Sequence, residues 1–484
     1  MKTGKYIPTF DSLAKHKCPD WFRDAKFGIW SHWGPQSVPM CGDWYARNMY
    51  LQDSDQYNYH VRFYGHPSKF GYKDICKLWK AEKFEPEKLM DLYYKAGARY
   101  FVALAMHHDH FFNFPSKLNK FNSVEMGPGK DICGLWKAAA MKYNLPFGLT
   151  EHLGATFSWW KTNKGSDRYG LLKGVPYDGN DPVYRDFYLD NFEHVEGDLS
   201  VLRPWYTPNS KFRDYWLDVM KELIDLYQPE LLYSDGALPF GNHWHFEDGS
   251  DKDLSNCRWG LEAVAYLYNT VENAVYNQKS NQPEMYSVSV LDVERSQLAG
   301  INAEPWQTDT CIGGWFYDAK LTLKKPDHVI EMLVDIISKN GTMLLNIPQR
   351  PDGTIDDDAV FLLEEMGKWF AVCSEGVYST RPWREFGEGD TKVLIDGFTE
   401  NKTEWNSSDY RFTFKDKTLY SFILNTSETR KVVIKSLNES ERVKRVRLLG
   451  VGEIPFSQEY GILVAKLPDK LPTEYVNCLA LELC

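Results

Sequence analysis

Short apolar runs alternate with longer stretches of helical period along the chain between about residues 25 and 350. This alternation is typical of βα units arranged around a parallel sheet. The predicted strands are Phe27–Trp30, Tyr100–Ala105, Phe147–Thr150, Leu231–Ser234, Met285–Val290 and Met343–Ile347. The clearest predicted helices, each with one apolar stripe, are Phe84–Ala98, Lys211–Tyr227 and Asp327–Lys339.

Polar side chains follow each of the predicted strands. They are His32, His107, His108, Asp109, Glu151, His152, Asp235, Asp292, Glu294 and Asn346. If the strands are parallel, all these groups emerge at one end of the sheet, which is where a (β/α) barrel keeps its active site. We therefore predict an α/β fold with a (β/α)8-like barrel as the catalytic domain, over residues 1–380.

The pattern changes near residue 380, where alternating and β-branched strands separated by short polar turns begin. The predicted strands are Arg411–Lys415, Leu419–Leu424, Lys431–Ile434, Val443–Leu449, Gly461–Lys466 and Val476–Leu481. They indicate a C-terminal antiparallel β-sandwich over residues 381–484. Because no histidine cluster or strand-end carboxylate appears there, we expect this domain to support the barrel without supplying chemistry.

Composition excludes several classes of partner. The formal net charge of −11 over 484 residues argues against nucleic acid, since phosphates require clustered Lys and Arg. No apolar run approaches the roughly 18 residues of a membrane helix, so no membrane partner is expected. The first residues, MKTGKYIPTF, lack the apolar core of a signal peptide, which predicts a cytoplasmic protein. A periplasmic or secreted protein with its signal removed is the alternative.

Asp235 is the strongest single candidate for chemistry. The apolar run Leu231–Ser234 leads into it and Gly236 follows, so its carboxylate is expected at the barrel mouth. A carboxylate there can be a nucleophile, a general base or a metal ligand. Nearer the start of the chain, His32 is followed by Asp43 and Trp44. Indole and imidazole groups beside a carboxylate make a surface that suits a sugar.

The run from His107 to His110 contains imidazole and carboxylate groups, which are ligands of zinc and iron. Adjacent residues at a strand end point to opposite sides, and no second cluster has ligand spacing. We therefore favour hydrogen bonds from these histidines to sugar hydroxyls, with no metal and no cofactor. A metal-dependent hydrolase that uses His107, His108, Asp109 and Asp235 is an alternative.

Several motifs occur in an order that matches a known family. They are WFRDAKFGIWSHWG, DWYARNMY, HHDHF, YSDG, PWQTDTCIGGWFY and SKNGTMLLNIP. Together they resemble the family 29 glycoside hydrolases, the α-L-fucosidases, over roughly residues 8–380. The segment DYRFTFKDKTLYSFIL resembles the C-terminal sandwich of that family, so the resemblance extends over nearly the whole chain.

This resemblance implies retaining hydrolysis by two carboxylates, with Asp235 as the nucleophile. The residues that it implies for substrate binding, with two tryptophans added from the PWQTDTCIGGWFY segment, are His32, Asp43, Trp44, His107, His108, Trp306 and Trp315. The chain departs from the family where Tyr233 replaces a frequent Trp and Asp43 a frequent Glu. It also departs at residues 150–152, which read Thr-Glu-His where many members have Tyr-Tyr-Ser. These departures leave the reaction type intact.

The acid/base residue lies in a variable segment of the family. Glu294 follows a predicted strand within LDVERSQ, which resembles the segment that carries this glutamate in some members. Glu304, directly before Pro305, is the second candidate. Glu294 is the preferred assignment.

The predicted function is hydrolysis of terminal α-L-fucosyl residues from fucosylated oligosaccharides or glycoconjugates. An α-L-galactosidase is a close alternative, because L-galactose differs from L-fucose by one hydroxyl and an apolar pocket rejects an added hydroxyl only weakly. A non-catalytic sugar-binding protein on a barrel scaffold is a third possibility, which turnover of an aryl fucoside would exclude.

Overall fold

The computed structural model describes residues 4–191, 198–202, 204–241, 254–395, 398 and 400–484. Its first part is a closed barrel of eight parallel strands, in which each strand pairs with the next and β8 pairs with β1. The strands are β1 Phe27–Ser31, β2 Tyr100–Met106, β3 Phe147–Glu151, β4 Leu231–Ser234, β5 Val275–Gln278, β6 Val290–Asp292, β7 Trp306–Cys311 and β8 Gly341–Asn346. The predicted fold class is confirmed.

Alternate residues of the barrel strands fill its interior. Trp30, Tyr100, Tyr233 and Leu344 belong to one buried cluster, which Phe22 joins from the helix before β1. Gly28 makes room for this packing, because a Cβ at that position would lie 2.3 Å from the Tyr100 ring. The barrel is therefore a packed core with its polar groups at the strand ends.

Helices surround the barrel and fill the segments between its strands. The α-helices are α1 Phe10–Leu13, α2 Asp20–Ala25, α3 Tyr45–Asn48, α4 Asp55–Phe63, α5 Tyr72–Leu78, α6 Pro86–Lys95, α7 Ile132–Lys142, α8 Thr156–Trp159, α9 Arg185–Tyr188, α10 Ser210–Tyr227, α11 Arg258–Thr270, α12 Pro283–Tyr286, α13 Pro326–Ser338 and α14 Asp357–Cys373. The three helices predicted from the sequence correspond to α6, α10 and α13. None of the helices in the described part of the chain is long and apolar enough to span a membrane.

One predicted strand is wrong and two strands were not predicted. The run Met285–Val290 mostly forms the end of α12 and a turn, because Pro283 starts a short helix, and β6 begins only at its last residue. Strands β5 and β7 lack a continuous apolar pattern, since inward-facing positions carry polar residues such as Asn277 and Gln307. Tertiary burial, not strand propensity, defines these two strands.

The C-terminal region forms two antiparallel sheets. The larger sheet has the order β14-β13-β17-β11-β10-β9 and the smaller has the order β12-β16-β15. These strands are β9 Gly387–Glu388, β10 Tyr410–Lys415, β11 Thr418–Ile423, β12 Lys431–Ile434, β13 Val443–Leu448, β14 Gly452–Glu453, β15 Phe456–Glu459, β16 Ile462–Lys466 and β17 Asn477–Leu483. A separate apolar cluster that includes Phe412, Leu463 and Leu481 fills the space between the sheets.

The larger sheet also packs on the barrel helices. Phe422 and Cys478 belong to the same buried cluster as Trp369 of α14, and the Trp369 indole donates a hydrogen bond of 2.7 Å to the carbonyl of Val476. The two regions therefore share apolar surface, and the domain boundary at residue 380 stays a prediction.

Candidate active site

Two carboxylates and one lysine meet at the carboxyl end of the barrel. The Lys279 ammonium donates a hydrogen bond of 2.7 Å to Asp235 Oδ1 and a short one to Glu294 Oε2. The same ammonium lies 3.8 Å from Asp309 Oδ2 on β7. The structure thus brings Asp235 and Glu294, the two predicted catalytic residues, onto one cation.

The backbone explains why these side chains converge. Asp235 directly follows β4, and its amide donates to the carbonyl of Glu151 at 3.1 Å. The chain turns away at Gly236, whose φ of +100° favours glycine, and the Gly236 carbonyl accepts from the amide of Lys279 at 2.7 Å. Lys279 itself follows β5 by one residue. The neighbouring strand ends are therefore joined by hydrogen bonds just beyond the sheet.

Asp235 is held in its ionised form. Burial would raise its pKa, but the charge of Lys279 and contacts with His152 and His108 outweigh burial and hold the pKa well below its usual range. His108 Nε2 and His152 Nδ1 each lie 3.2 Å from Asp235 Oδ2, and the Tyr233 hydroxyl lies 3.3 Å from Oδ1. A carboxylate of this kind is available as a nucleophile near neutral pH.

Glu294 has the opposite electrostatic behaviour. Burial is the largest cause that raises its pKa, to about 7, and the nearby charges of Asp309 and Asp235 act in the same direction. Lys279 lowers the pKa and only partly compensates. Two carboxyl groups with pKa values driven apart by their surroundings are the usual arrangement of an acid and a nucleophile.

Four histidines form the other side of the barrel mouth: His32 after β1, His107 and His108 after β2, and His152 after β3. The ring centroids of His32 and His107 are 5.2 Å apart, and those of His107 and His152 are 4.9 Å apart. Burial holds the pKa of His32 and His107 well below the usual range and lowers that of His152 to about 4. These three rings are therefore neutral near pH 7.

Several buried polar atoms on this side lack a protein partner. Within the described residues, both ring nitrogens of His32 and the Asp43 Oδ1 atom have no hydrogen bond. His107 Nε2 lies 4.0 Å from Asp43 Oδ1, and Gln36 donates to His107 Nδ1 at 2.8 Å, which leaves the proton of His107 on Nε2. Buried polar groups normally have partners, so these atoms are suited to bind the hydroxyls of a ligand.

Aromatic rings surround these polar atoms. The centroid of Trp315 is 5.7 Å from that of His32, and Trp44 packs edge-on against Trp159 at 5.9 Å. Asn346, at the end of β8, accepts from the His32 amide and donates to the Trp315 carbonyl. The structure therefore places His32, Asp43, Trp44, His107, His108 and Trp315 around one mouth.

Three residues predicted for the site, or for its alternatives, lie elsewhere. The Trp306 indole is fully buried on the outer face of β7 and donates to the Lys339 carbonyl, so it cannot stack on a substrate. Glu304 is exposed and precedes β7, which places it at the opposite end of the barrel from Asp235. Asp109 accepts from the Tyr72 hydroxyl at 2.5 Å and from the Phe111 amide, away from the other candidate ligands.

Lys279 and Asp309 were not predicted as site residues, and Asp292 was predicted only as a polar residue at the end of a strand. Burial raises the pKa of Asp292 to about 6 and that of Asp309 well above its usual range, and Asp309 Oδ2 lies 3.8 Å from the Lys279 ammonium. Lys279 follows β5 and Asp309 lies on β7, the two strands without an apolar pattern. His152 follows a predicted strand, but nothing in the sequence assigns it to Asp235.

The histidines also include groups that could hold a metal. Among the described residues, the ligand atoms of His107, His108 and His152 lie within 4.8 Å of one another, as do those of His32, Asp43 and His107. His108 already contacts the carbonyl of His152 and the carboxylate of Asp235. The metal-dependent alternative thus loses Asp109 as a ligand but keeps a histidine cluster that chelation can test.

An aspartate with a lowered pKa and a glutamate with a raised pKa at the carboxyl end of a parallel barrel are an arrangement that suits a glycoside hydrolase. The family comparison agrees with this class. The chain belongs to the alpha-L-fucosidase family, whose model matches residues 1–375, and it is a glycoside hydrolase.

Individual relatives match over nearly the full length. Tissue alpha-L-fucosidase of Rattus norvegicus is 28% identical over 490 residues, which cover 96% of this chain and 89% of the relative. Alpha-L-fucosidase of Branchiostoma floridae is 26% identical, with 92% and 87% covered. The crystal structure of Thermotoga maritima alpha-fucosidase in complex with fucose matches with a TM-score of 0.73 at 26% identity, covering 98% of this chain and 100% of that chain.

Proposed function

We propose that this protein is a retaining exo-α-L-fucosidase that hydrolyses terminal α-L-fucosyl residues through a covalent fucosyl-enzyme on Asp235. The observation that carries the proposal is the pair of carboxylates on Lys279, one with a lowered and one with a raised pKa. Two carboxyl groups that share one ammonium lie close together, as the short separation of about 5–5.5 Å in retaining glycosidases requires. The family of the chain supports fucose as the sugar.

In the first step, the Asp235 carboxylate attacks the anomeric carbon and the bond to the leaving oxygen breaks. The protonated Glu294 donates its proton to that oxygen, which departs as an alcohol. Positive charge that develops on the sugar ring is stabilised by Asp235 as the bond forms. Because Asp235 attacks on the face opposite the leaving oxygen, the covalent ester has the inverted anomeric configuration.

In the second step, Glu294 acts as the base. Once Asp235 is an ester, its negative charge no longer raises the pKa of Glu294, and Lys279 has one fewer anionic partner. Both changes favour ionised Glu294, which can take a proton from water as the water attacks the anomeric carbon. A second inversion restores the original configuration and frees Asp235.

The neutral histidines have a binding role in this proposal. Both ring nitrogens of His32 are unpaired among the described residues, and His107 offers its Nε2 proton, which suits vicinal hydroxyls of a sugar. Asp43 and Trp44 belong to the same side, and Trp315 offers an apolar ring face. Because the rings are uncharged, binding needs no change in the protonation of these groups near neutral pH.

A hydrolysis panel with product analysis tests the proposal. Aryl α-L-fucoside, aryl α-L-galactoside and fucosylated oligosaccharides are supplied at equal concentration, and proton NMR identifies the first anomer released. We expect the fucosides to react fastest and α-L-fucose to appear before mutarotation. Faster turnover of the galactoside would assign the close alternative, and release of the β anomer would reject the retaining mechanism.

A further inference from the structure

We infer that Glu400, in the connection between β9 and β10 of the C-terminal region, is a positioning residue that aims Glu294 into the active site by holding Arg295. This inference rests on the proposed function, because it assumes the role of Glu294 as acid and base. It assigns the C-terminal region a part in the reaction although none of its residues has to touch the sugar.

The side chains of Glu294 and Arg295 point in different directions. The chain continues beside β7 after β6 ends, since the amides of Val293 and Arg295 donate to the carbonyls of Gln307 and Asp309 at 2.9 Å each. Glu294 and Arg295 form a turn beyond β6, and their contacts show that the two side chains leave the backbone in different directions. Glu294 points inward to Lys279, and Arg295 points outward to Glu400.

Arg295 is anchored by the buried carboxylate of Glu400. Arg295 Nε donates to Glu400 Oε2 at 3.0 Å, and the Lys324 ammonium donates to the same oxygen at 3.0 Å. The Thr310 hydroxyl donates to the other oxygen, Oε1. The Glu400 side chain is only 4% exposed. A buried carboxylate that accepts from three donors is held in one position. Removing its charge would leave Arg295 and Lys324 without this anionic partner.

The backbone at Arg295 has a φ of +46°. This left-handed conformation is unfavourable for a residue with a Cβ and persists where surrounding contacts enforce it. Arg295 is the residue directly after Glu294, so the conformation enforced here also fixes the peptide that carries the Glu294 side chain. Loss of the Glu400 anchor should let this peptide relax and move the Glu294 carboxyl away from Lys279.

The same connection supplies a matched control. Lys402 lies two residues after Glu400 and forms an ion pair with Asp327 of α13. This pair also ties the connection to the barrel, but among the described residues it has no hydrogen bond or ion pair with the segment that carries Glu294. Lys402→Met therefore reports any general effect of loosening the connection, separately from an effect on Glu294.

The test compares wild-type protein with Glu400→Gln, Arg295→Met, Arg295→Lys and Lys402→Met. kcat/KM is measured with aryl α-L-fucosides whose phenols range from very acidic to weakly acidic. A misplaced general acid slows only substrates whose leaving oxygen needs the proton. For Glu400→Gln and Arg295→Met, we expect a loss of about 10- to 100-fold with the weakly acidic phenol and less than about threefold with the most acidic one. Arg295→Lys should recover part of this loss, and Lys402→Met should resemble wild type.

Crystal structures of wild type and Glu400→Gln supply a readout that does not depend on turnover. We expect the contact between Glu294 and Lys279 to be broken in the variant and kept in Lys402→Met. An equal loss with all leaving groups, the same selective loss in Lys402→Met, or an unchanged Glu294 contact would overturn the inference. If Glu400→Gln does not fold, Arg295→Met decides by the same criteria. If wild type does not hydrolyse fucosides, the proposed function fails, and the structures alone still decide whether Glu400 positions Glu294.

Discussion

The two sides of the barrel mouth are built from different chemistry. The side formed by the ends of β1, β2 and β3 carries His32, His107 and His152, whose pKa values burial lowers so that the rings are neutral. The side formed by the ends of β4, β5 and β6 carries Asp235, Lys279 and Glu294, which are linked by ion pairs. In the proposed mechanism, the first side offers neutral hydrogen-bonding groups to the sugar, and the second side supplies the charged groups that cleave the glycosidic bond.

Replacement of Asp235 should have the largest effect. Asp235→Ala removes the nucleophile on the charged side, and we expect kcat/KM to fall by at least about 10⁴-fold with an unchanged circular dichroism spectrum. Added azide should restore part of the turnover with an activated substrate and yield a fucosyl azide of inverted configuration. Retention of more than about 1% of the activity would remove Asp235 from this role.

Replacement of Glu294 should depend on the leaving group. Glu294→Ala should lose about 10²–10⁴ in rate with alkyl fucosides but keep fucosylation by a substrate with a very acidic phenol. Glu304→Ala is the control, because Glu304 is exposed at the other end of the barrel. The assignment is reversed if Glu304→Ala shows the leaving-group dependence and Glu294→Ala does not.

Lys279 should set the pH range of the charged side. Glu294 must be protonated to act as the acid, so wild-type kcat/KM should decline as the pH rises through about 7, the pKa of Glu294. Lys279 lowers the pKa values of both Glu294 and Asp235. Lys279→Met should therefore move both limbs of the pH profile to higher pH and reduce the maximum on the order of 10²-fold. An unmoved alkaline limb would contradict the proposed coupling.

The histidine side should respond through substrate binding. His32→Ala removes one neutral hydrogen-bonding ring, and we expect KM to rise about five- to tenfold, the value of one hydrogen bond, with a smaller change in kcat. Trp306→Phe is the matched control, because Trp306 is buried away from the mouth. It should lower the melting temperature and leave KM unchanged. A rise in KM for Trp306→Phe alone would place the binding surface elsewhere.

Chelation should have the smallest effect. We propose that the histidine side binds sugar hydroxyls by hydrogen bonds alone. Prolonged treatment with EDTA followed by metal-free buffer should therefore leave kcat and KM unchanged. Elemental analysis of the untreated protein should find no transition metal at one equivalent. Activity that is lost on chelation and restored by one ion would instead make the cluster of His107, His108 and His152 a metal site.

The sequence was sufficient to predict the barrel and the carboxylates and histidines at its mouth, but not Lys279 or Asp309. Strands such as Tyr100–Met106 are buried along their whole length and read as continuous apolar runs. Strands β5 and β7 carry polar groups toward the interior, so their pattern resembles that of a loop. Lys279 could not be assigned to the site without β5. Without β7, nothing in the sequence separates Glu304, which precedes that strand, from a residue at the barrel mouth.

The individual roles at the mouth depend on contacts between strands distant in sequence. Trp306 and Trp315 occur in one motif, but β7 turns the first toward the helices and the loop after it brings the second to His32. The link from Glu400 to Arg295 joins residues 105 positions apart. Such pairings follow from closure of the barrel and packing of the C-terminal region, and no local pattern contains them.

The central claim is that Asp235 forms a covalent bond with the sugar, and trapping that intermediate tests it most directly. The probe is a 2-deoxy-2-fluoro-L-fucosyl donor with an activated leaving group. Its fluorine destabilises the positively charged transition states and so slows both formation and hydrolysis of the intermediate. The activated leaving group restores the rate of formation only, so the intermediate accumulates. Proteolysis and mass spectrometry then locate the label. We expect one fluorofucosyl group on the peptide that contains Asp235, attached to its carboxylate, and no label in Asp235→Ala. A label on another carboxylate, or complete turnover to the inverted sugar without any label, would contradict this claim.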